Sequence, residues 1–236
     1  MNPNWHYNWF VHKMLNRSTF YMPYFYNDHV HVLLLHIPKT GGTSINKYLS
    51  KKYEIPLNRQ ALYSVKSGEF YKGISPQHQF YSTIKENPET FPVKWDSDPK
   101  LQIIASVRNP YHRAVSAMLF HAFITYDTTP VDFFDLLPRF LKANWVDNHN
   151  APQYKFVTLE DCSMVPGLQV IKTENLIDDM QQLGFTDFDL FTNKCSEPHR
   201  PYMTYLDNRA LKMINEHYKK DFELFGYTMV WSSSEN

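Results

Sequence analysis

His31-Val-Leu-Leu-Leu-His-Ile-Pro-Lys-Thr-Gly-Gly-Thr-Ser44 is the stretch on which the fold turns. His31 to Ile37 is a short run, apolar between its two histidines and bounded by Pro38, and it reads as a buried strand. Pro38 to Ser44 is a tight polar loop. After it Ile45, Tyr48, Leu49 and Tyr53 fall at helical spacing. The unit is strand, glycine-containing loop, helix.

The same unit recurs further along. Leu101-Gln-Ile-Ile-Ala-Ser-Val107 reads as a second buried strand. Asn109 suits a helix N-cap and Pro110 the first helical position, and Val115, Met118, Leu119, Ala122 and Phe123 then form an apolar stripe. A third strand is expected at Gln169-Val-Ile-Lys172, with Thr173 capping a helix from Glu174 to Leu183 that Gly184 stops. One long helix is expected from about Asp207 to Phe225, lined by Leu211, Ile214, Tyr218, Phe222 and Phe225 and ended by Gly226. Strands alternating with helices predict an α/β fold with a P-loop-like central parallel sheet flanked by helices on both faces. Residues 31–231 form the domain. Residues 1–30 read as an aromatic-rich arm with a short helix, and residues 232–236 as a disordered tail.

The chain has 236 residues, enough to bury one large core without a disulfide or metal staple. Its formal net charge is zero, which excludes the broad basic field of a nucleic-acid binder, so any anion site must be local. Cys162 and Cys195 make no CxxC pair, which argues against a cysteine-type zinc site; they suit one disulfide in an oxidising compartment or two thiols in the cytosol. No apolar run is long enough for a transmembrane span, and Met1 to Tyr26 lacks the core of a signal peptide. The expected setting is cytoplasmic or otherwise soluble, with the Golgi lumen requiring an anchor outside this chain.

Ligands in such folds bind at the carboxyl ends of the strands. In Pro38-Lys39-Thr40-Gly41-Gly42-Thr43-Ser44 the glycines admit close approach of an anion, the helix start offers N–H groups, Lys39 adds charge, and Thr40, Thr43 and Ser44 add hydroxyls. The loop is not a Walker A sequence, because Lys39 precedes the glycines. At the second strand end Arg108 and, eight residues on, Ser116 can share one phosphate. Arg113, one turn into that helix, reads as part of a solvated face. Two anion sites on neighbouring strand ends suit a nucleotide with phosphates on both its 5′ and 3′ sides.

His36-Ile-Pro-Lys-Thr-Gly-Gly-Thr-Ser44 resembles the 5′-phosphosulfate loop of carbohydrate sulfotransferases of the Golgi heparan and chondroitin type and their microbial or viral relatives. Arg108-Asn-Pro-Tyr-His-Arg-Ala-Val-Ser116 resembles their 3′-phosphate element. His149-Asn-Ala-Pro-Gln153, Thr173-Glu-Asn-Leu176 and Tyr218-Lys-Lys-Asp-Phe-Glu-Leu-Phe-Gly-Tyr227 resemble later segments of the family. The resemblance covers roughly residues 31–227. It implies transfer of a sulfuryl group from 3′-phosphoadenosine 5′-phosphosulfate (PAPS) to a carbohydrate hydroxyl, with PAP as product and no metal required. Lys39 is then catalytic and His78 the expected general base, with His36, His112, His149, Glu86 and Glu69 as other candidates. His149 is expected to shape the acceptor or cofactor pocket. Arg200, in the basic loop that includes Lys194 and His199, is expected near the 3′-phosphate. A kinase-like phosphotransferase and a nucleotide-binding protein without turnover remain as alternatives.

Overall fold

The computed structural model describes residues 24–55, 57, 74–96, 100–189 and 200–231. The chain enters through strand β1 (Tyr24–Asn27) and turns into β2 (Val30–Leu35), followed by helix α1 (Gly42–Lys52). A 3-10 turn at Pro76–His78 leads to α2 (Tyr81–Glu86), β3 (Gln102–Val107) and α3 (Pro110–Phe120). Then come α4 (Pro130–Leu141), α5 (Tyr154–Val157), β4 (Leu168–Lys172), a 3-10 turn at Thr173–Asn175 and α6 (Leu176–Gln182). A last 3-10 turn at Tyr202–Tyr205 precedes α7 (Asn208–His217) and α8 (Lys219–Phe225).

The sheet order is β1-β2-β3-β4. β2, β3 and β4 are parallel, as expected, while β1 runs antiparallel to β2 along one edge. This edge strand lies in the segment that the sequence suggested was a helical arm. Its two-residue turn is set by Asn27, whose Oδ1 accepts from the N–H groups of His29 at 2.8 Å and Val30 at 3.1 Å. β2 is buried at every position because both of its faces are covered. Leu33 and Leu35 pack with Ile103, Ala105, Val107, Phe156 and Phe225 on one side. Val30, Val32 and Leu34 pack with Ile45, Leu49, Ile104, Leu176 and Met180 on the other.

Three helical readings change. The helix expected from Glu174 starts at Leu176 without the Thr173 cap, because that hydroxyl donates to the carbonyls of Thr40 and Val107. The expected helix 207–225 is broken at Tyr218, a buried residue whose hydroxyl donates to the Asn150 carbonyl at 3.0 Å. The break lets the buried Asp221 carboxylate accept the Gln153 and Tyr154 N–H groups, each at 2.8 Å, at the start of α5. Helix α4 was not anticipated, although Thr129 caps it, Pro130 opens it, and Phe133, Leu137 and Phe140 form its buried stripe. The expectations at Asn109 and Gly226 hold: Asn109 Oδ1 accepts from Tyr111 N at 3.0 Å, and Gly226 closes α8 in a left-handed conformation at φ 65°.

Candidate active site

The loop after β2 is held in a bent form by its neighbours. Lys39 (φ 68°) and Gly41 (φ 89°) both adopt left-handed backbone, which for Lys39 costs about 1–2 kcal/mol. Such a loop turns N–H groups toward a common concave side suited to anions. Three side chains fix it from behind. Thr40 is fully buried; its hydroxyl donates to the Ile37 carbonyl at 2.8 Å and lies 2.8 Å from Ser106 Oγ on β3. That hydroxyl therefore fastens the loop to the sheet and is not one of its anion donors, contrary to expectation. Thr173 Oγ1, beyond β4, reaches the carbonyls of Thr40 at 2.6 Å and Val107 at 2.9 Å. Arg113 Nε donates to Pro38 O at 3.0 Å and its Nη1 to Ala151 O at 2.8 Å. Arg113 is 1% exposed, so the solvated helix face expected for it is a structural strut instead.

Helix α1 starts at Gly42 with no side-chain cap and no acidic residue in its first turn, which leaves its positive dipole end to a ligand, while the Ser44 N–H donates to the Gly41 carbonyl at 2.9 Å. Thr43 and Ser44 lie in that first turn. Gly42 is demanded by packing: a Cβ there would meet the buried His36 ring at 2.3 Å. Gly42→Ala is expected to lose about 1–3 kcal/mol, roughly 2–12 °C in Tm. A thermal melt indistinguishable from wild type would show that His36 moves aside freely.

Arg108 leaves β3 beside this loop. Gln153 grips its backbone at both ends, accepting from Arg108 N at 2.9 Å and donating to Arg108 O at 2.8 Å. Arg108 Nη1 donates to the Lys39 carbonyl at 3.2 Å, and the guanidinium lies 5.0 Å from the Tyr202 ring centre. On α3, Ser116 follows Arg113 by three residues and precedes Phe120 by four, so all three share one face. Arg113 on this face meets Pro38, and Phe120 lies beneath Lys39 Nζ, 4.3 Å from its ring centre. Ser116 is half-buried between them. Lys39 and Arg108 are thus brought together, and Ser116 lies on the helix face that meets their loop. Arg200 is not part of this group: its Nε donates to Thr204 Oγ1 at 2.6 Å and its Nη1 to Thr128 O at 3.0 Å. From that segment it is Tyr202 that meets Arg108. Lys194, His199, Cys195 and Glu69 lie outside the described residues; Cys162 is exposed.

Behind the loop four histidines stand in a row, edge to face. Ring centres are 5.1 Å apart for His36 and His78, 5.0 Å for His78 and His149, and 4.5 Å for His149 and His121. Burial, and then the charges of its neighbours, hold His36 and His149 well below the usual imidazole range; burial pushes His121 down to about 3. His149 Nδ1 donates to Val146 O at 2.8 Å, and its ring stacks 5.0 Å behind that of Phe120. It therefore sits one layer behind the surface it was expected to line, and Phe120, 43% exposed, presents that surface. His112 lies apart from the row, 5.5 Å from Tyr202, with burial and then Arg108 lowering its pKa. Glu86 is exposed at the end of α2.

His78 differs from the other three in having a carboxylate partner: Nδ1 lies 2.7 Å from Asp147 Oδ2. Sequence reading missed Asp147, whose only signal was its position two residues before His149. His78, Asp147 and His149 also present possible metal-ligating atoms within 4.8 Å of one another. Nδ1 of each histidine and the Asp147 carboxylate are engaged in hydrogen bonds, so Nε2 is the ring atom each histidine would offer an ion.

The model of the sulfotransferase family matches residues 22–228. The chain belongs to the sulfotransferase family. No curated protein and no solved structure matches it significantly. The matched span starts ahead of β1 and ends past α8, so in this sulfotransferase the antiparallel edge strand lies within the family domain. Among the described residues, no helix is long and apolar enough to cross a membrane. Sulfuryl transfer moves an anionic group, and the sulfotransferase offers cationic and N–H-rich surfaces at the carboxyl ends of β2 and β3, with an imidazole–carboxylate pair alongside.

Proposed function

We propose that the protein transfers the sulfuryl group of PAPS to a hydroxyl of a carbohydrate acceptor, with His78 as general base. The observation that carries this reading is the juxtaposition of two anion holders on adjacent parallel strands, joined by the Arg108 Nη1 to Lys39 O hydrogen bond at 3.2 Å. The 5′-phosphosulfate end fits the loop of residues 38–44 and the uncapped start of α1. The 3′-phosphate fits between Arg108 and Ser116. The uncapped helix start and the paired cations Lys39 and Arg108 suit that donor.

In the transfer, the acceptor oxygen forms a bond to sulfur while its proton passes to His78 Nε2. The bond from sulfur to the bridging oxygen breaks, and its electron pair stays on the departing phosphate. Lys39 and the loop N–H groups stabilise the charge that gathers there. Phe120, 43% exposed with Lys39 Nζ over its ring, offers an acceptor apolar surface beside the reacting group, which supports the carbohydrate reading.

Calorimetry with PAP and with ATP, each with and without EDTA, tests the reading. PAP is expected to bind more tightly than ATP and to be indifferent to EDTA. Arg108→Ala is expected to weaken PAP about 10–100-fold, as loss of a charge-assisted contact does. His78→Ala is expected to keep PAP affinity and to lower transfer from PAPS to a glycan panel about 10²–10⁴-fold. Preference for ATP with Mg²⁺, or absence of PAP binding, would replace this reading by the phosphotransferase one.

A further inference from the structure

Asp147 and its neighbours do more than fill space behind the loop. Three donors converge on its carboxylate: Ser75 N at 2.7 Å on Oδ1, and Ser75 Oγ and His78 Nδ1, each at 2.7 Å, on Oδ2. Asp147 is 3% exposed. Both it (φ 50°) and Asn148 (φ 60°) hold left-handed backbone, which Asp and Asn adopt more readily than other non-glycine residues. The consequence is local and specific. Asp147 points its carboxylate at the His78 ring, while Asn148 Nδ2 donates to the His78 carbonyl at 3.0 Å. Two consecutive residues thus clamp both the ring and the main chain of one histidine.

The remaining contacts of that ring complete the clamp. His78 N donates to Ser75 O at 3.0 Å, closing the 3-10 turn that Pro76 opens. The His36 and His149 rings stand at 85° and 89° to it. Ser75 Oγ meets the same nitrogen as Asp147, at 3.1 Å, so Ser75 braces the pair and leaves Nε2 alone. We propose that Asp147 is the positioning residue for His78, holding the tautomer with hydrogen on Nδ1 and the lone pair on Nε2 and facing the imidazolium that forms when Nε2 takes the acceptor's proton. This rests on the reading of His78 as base in sulfuryl transfer. A carboxylate can only accept, so an Nδ1 without hydrogen would leave two acceptors in contact. With Asn at position 147 the amide can donate to Nδ1 and stabilise the other tautomer, whose Nε2 already carries hydrogen and cannot serve as base.

The test uses the full chain with ¹⁵N-labelled histidine, and compares wild type, Asp147→Asn and Asp147→Glu. Long-range ¹H–¹⁵N spectra report the His78 tautomer, assigned by its absence in His78→Ala. Wild type is expected in the Nδ1–H form and Asp147→Asn shifted toward Nε2–H. With PAPS and a glycan acceptor, kcat of Asp147→Asn is expected to fall about 10²–10⁴-fold while acceptor KM and PAP affinity stay within about twofold. Asp147→Glu is expected to keep the Nδ1–H form and recover part of kcat. An Nε2–H tautomer in wild type overturns the proposal without any variant. So does Asp147→Asn with unchanged tautomer and kcat, or parallel loss of Tm and PAP affinity in both variants. A tautomer shift in Asp147→Asn, in a wild-type protein that neither binds PAP nor transfers sulfuryl, would uphold the clamp and reject the sulfuryl-transfer reading.

Discussion

Lys39→Met is expected to lower kcat for sulfuryl transfer about 10²–10³-fold, equivalent to roughly 3–4 kcal/mol of lost transition-state stabilisation. Methionine keeps the length of the side chain and its contact with Phe120, and removes only the charge. The loop should survive, because its supports lie elsewhere: Thr40 on Ser106, Thr173 on the Thr40 carbonyl, and Arg113 on the Pro38 carbonyl. PAP affinity should therefore fall less than kcat, since charge on the bridging oxygen is greatest in the transition state. Steady-state kinetics alongside calorimetry separate the two quantities. Equal loss in kcat and in PAP affinity would mean that Lys39 binds the nucleotide uniformly and gives the transfer step no special help.

Acidification from pH 7 to 5 is expected to destabilise the fold by roughly 2 kcal/mol or more. His36, His121 and His149 are buried and held neutral, with folded pKa values below the ordinary 6.5. Below that value the unfolded chain takes up protons that the folded chain refuses, so stability falls as pH drops through 6.5 and toward the folded values. His121, pushed down to about 3, contributes roughly 2 kcal/mol of loss at pH 5, about 4–8 °C in Tm, and His36 and His149 add to it in the same direction. The depressed carboxylates Asp187 and Asp207 lie outside this window, because their stabilisation is lost only as pH falls below the ordinary 3.8. Melting curves at pH 7, 6 and 5 measure the effect, and His121→Gln should lessen it. A Tm that changes by less than about 3 °C over that range would show that the row accommodates protons.

Much of the donor side of the site was legible from residues alone. β2, its glycine loop and α1 are contiguous, so a buried apolar run, two glycines and a helical stripe disclose the anion cradle without tertiary information. The Arg108 element is equally local: strand end, Asn109 cap, Pro110, helix. Local spacing also fixes that Arg113, Ser116 and Phe120 share a face, yet not what that face meets. An arginine on a helix is usually solvated, and only packing of α3 against the loop turned Arg113 into a buried strut between Pro38 and Ala151.

The acceptor side depended on contacts between distant residues. Asp147 and His78 are 69 positions apart and meet only when the turn at Pro76–His78 lies against the segment before His149. A single carboxylate has no periodicity to betray it. Likewise β1 was hidden, because an edge strand rich in tyrosine gives the same composition as an aromatic arm until Asn27 folds the turn back onto β2. The sequence by itself determined the alternating layers and the two strand-end loops proposed to hold phosphate, since these follow from periodicity and short-range turn chemistry. Tertiary structure alone decided which imidazole has a carboxylate behind it, because that choice requires two buried polar groups to satisfy each other across the fold.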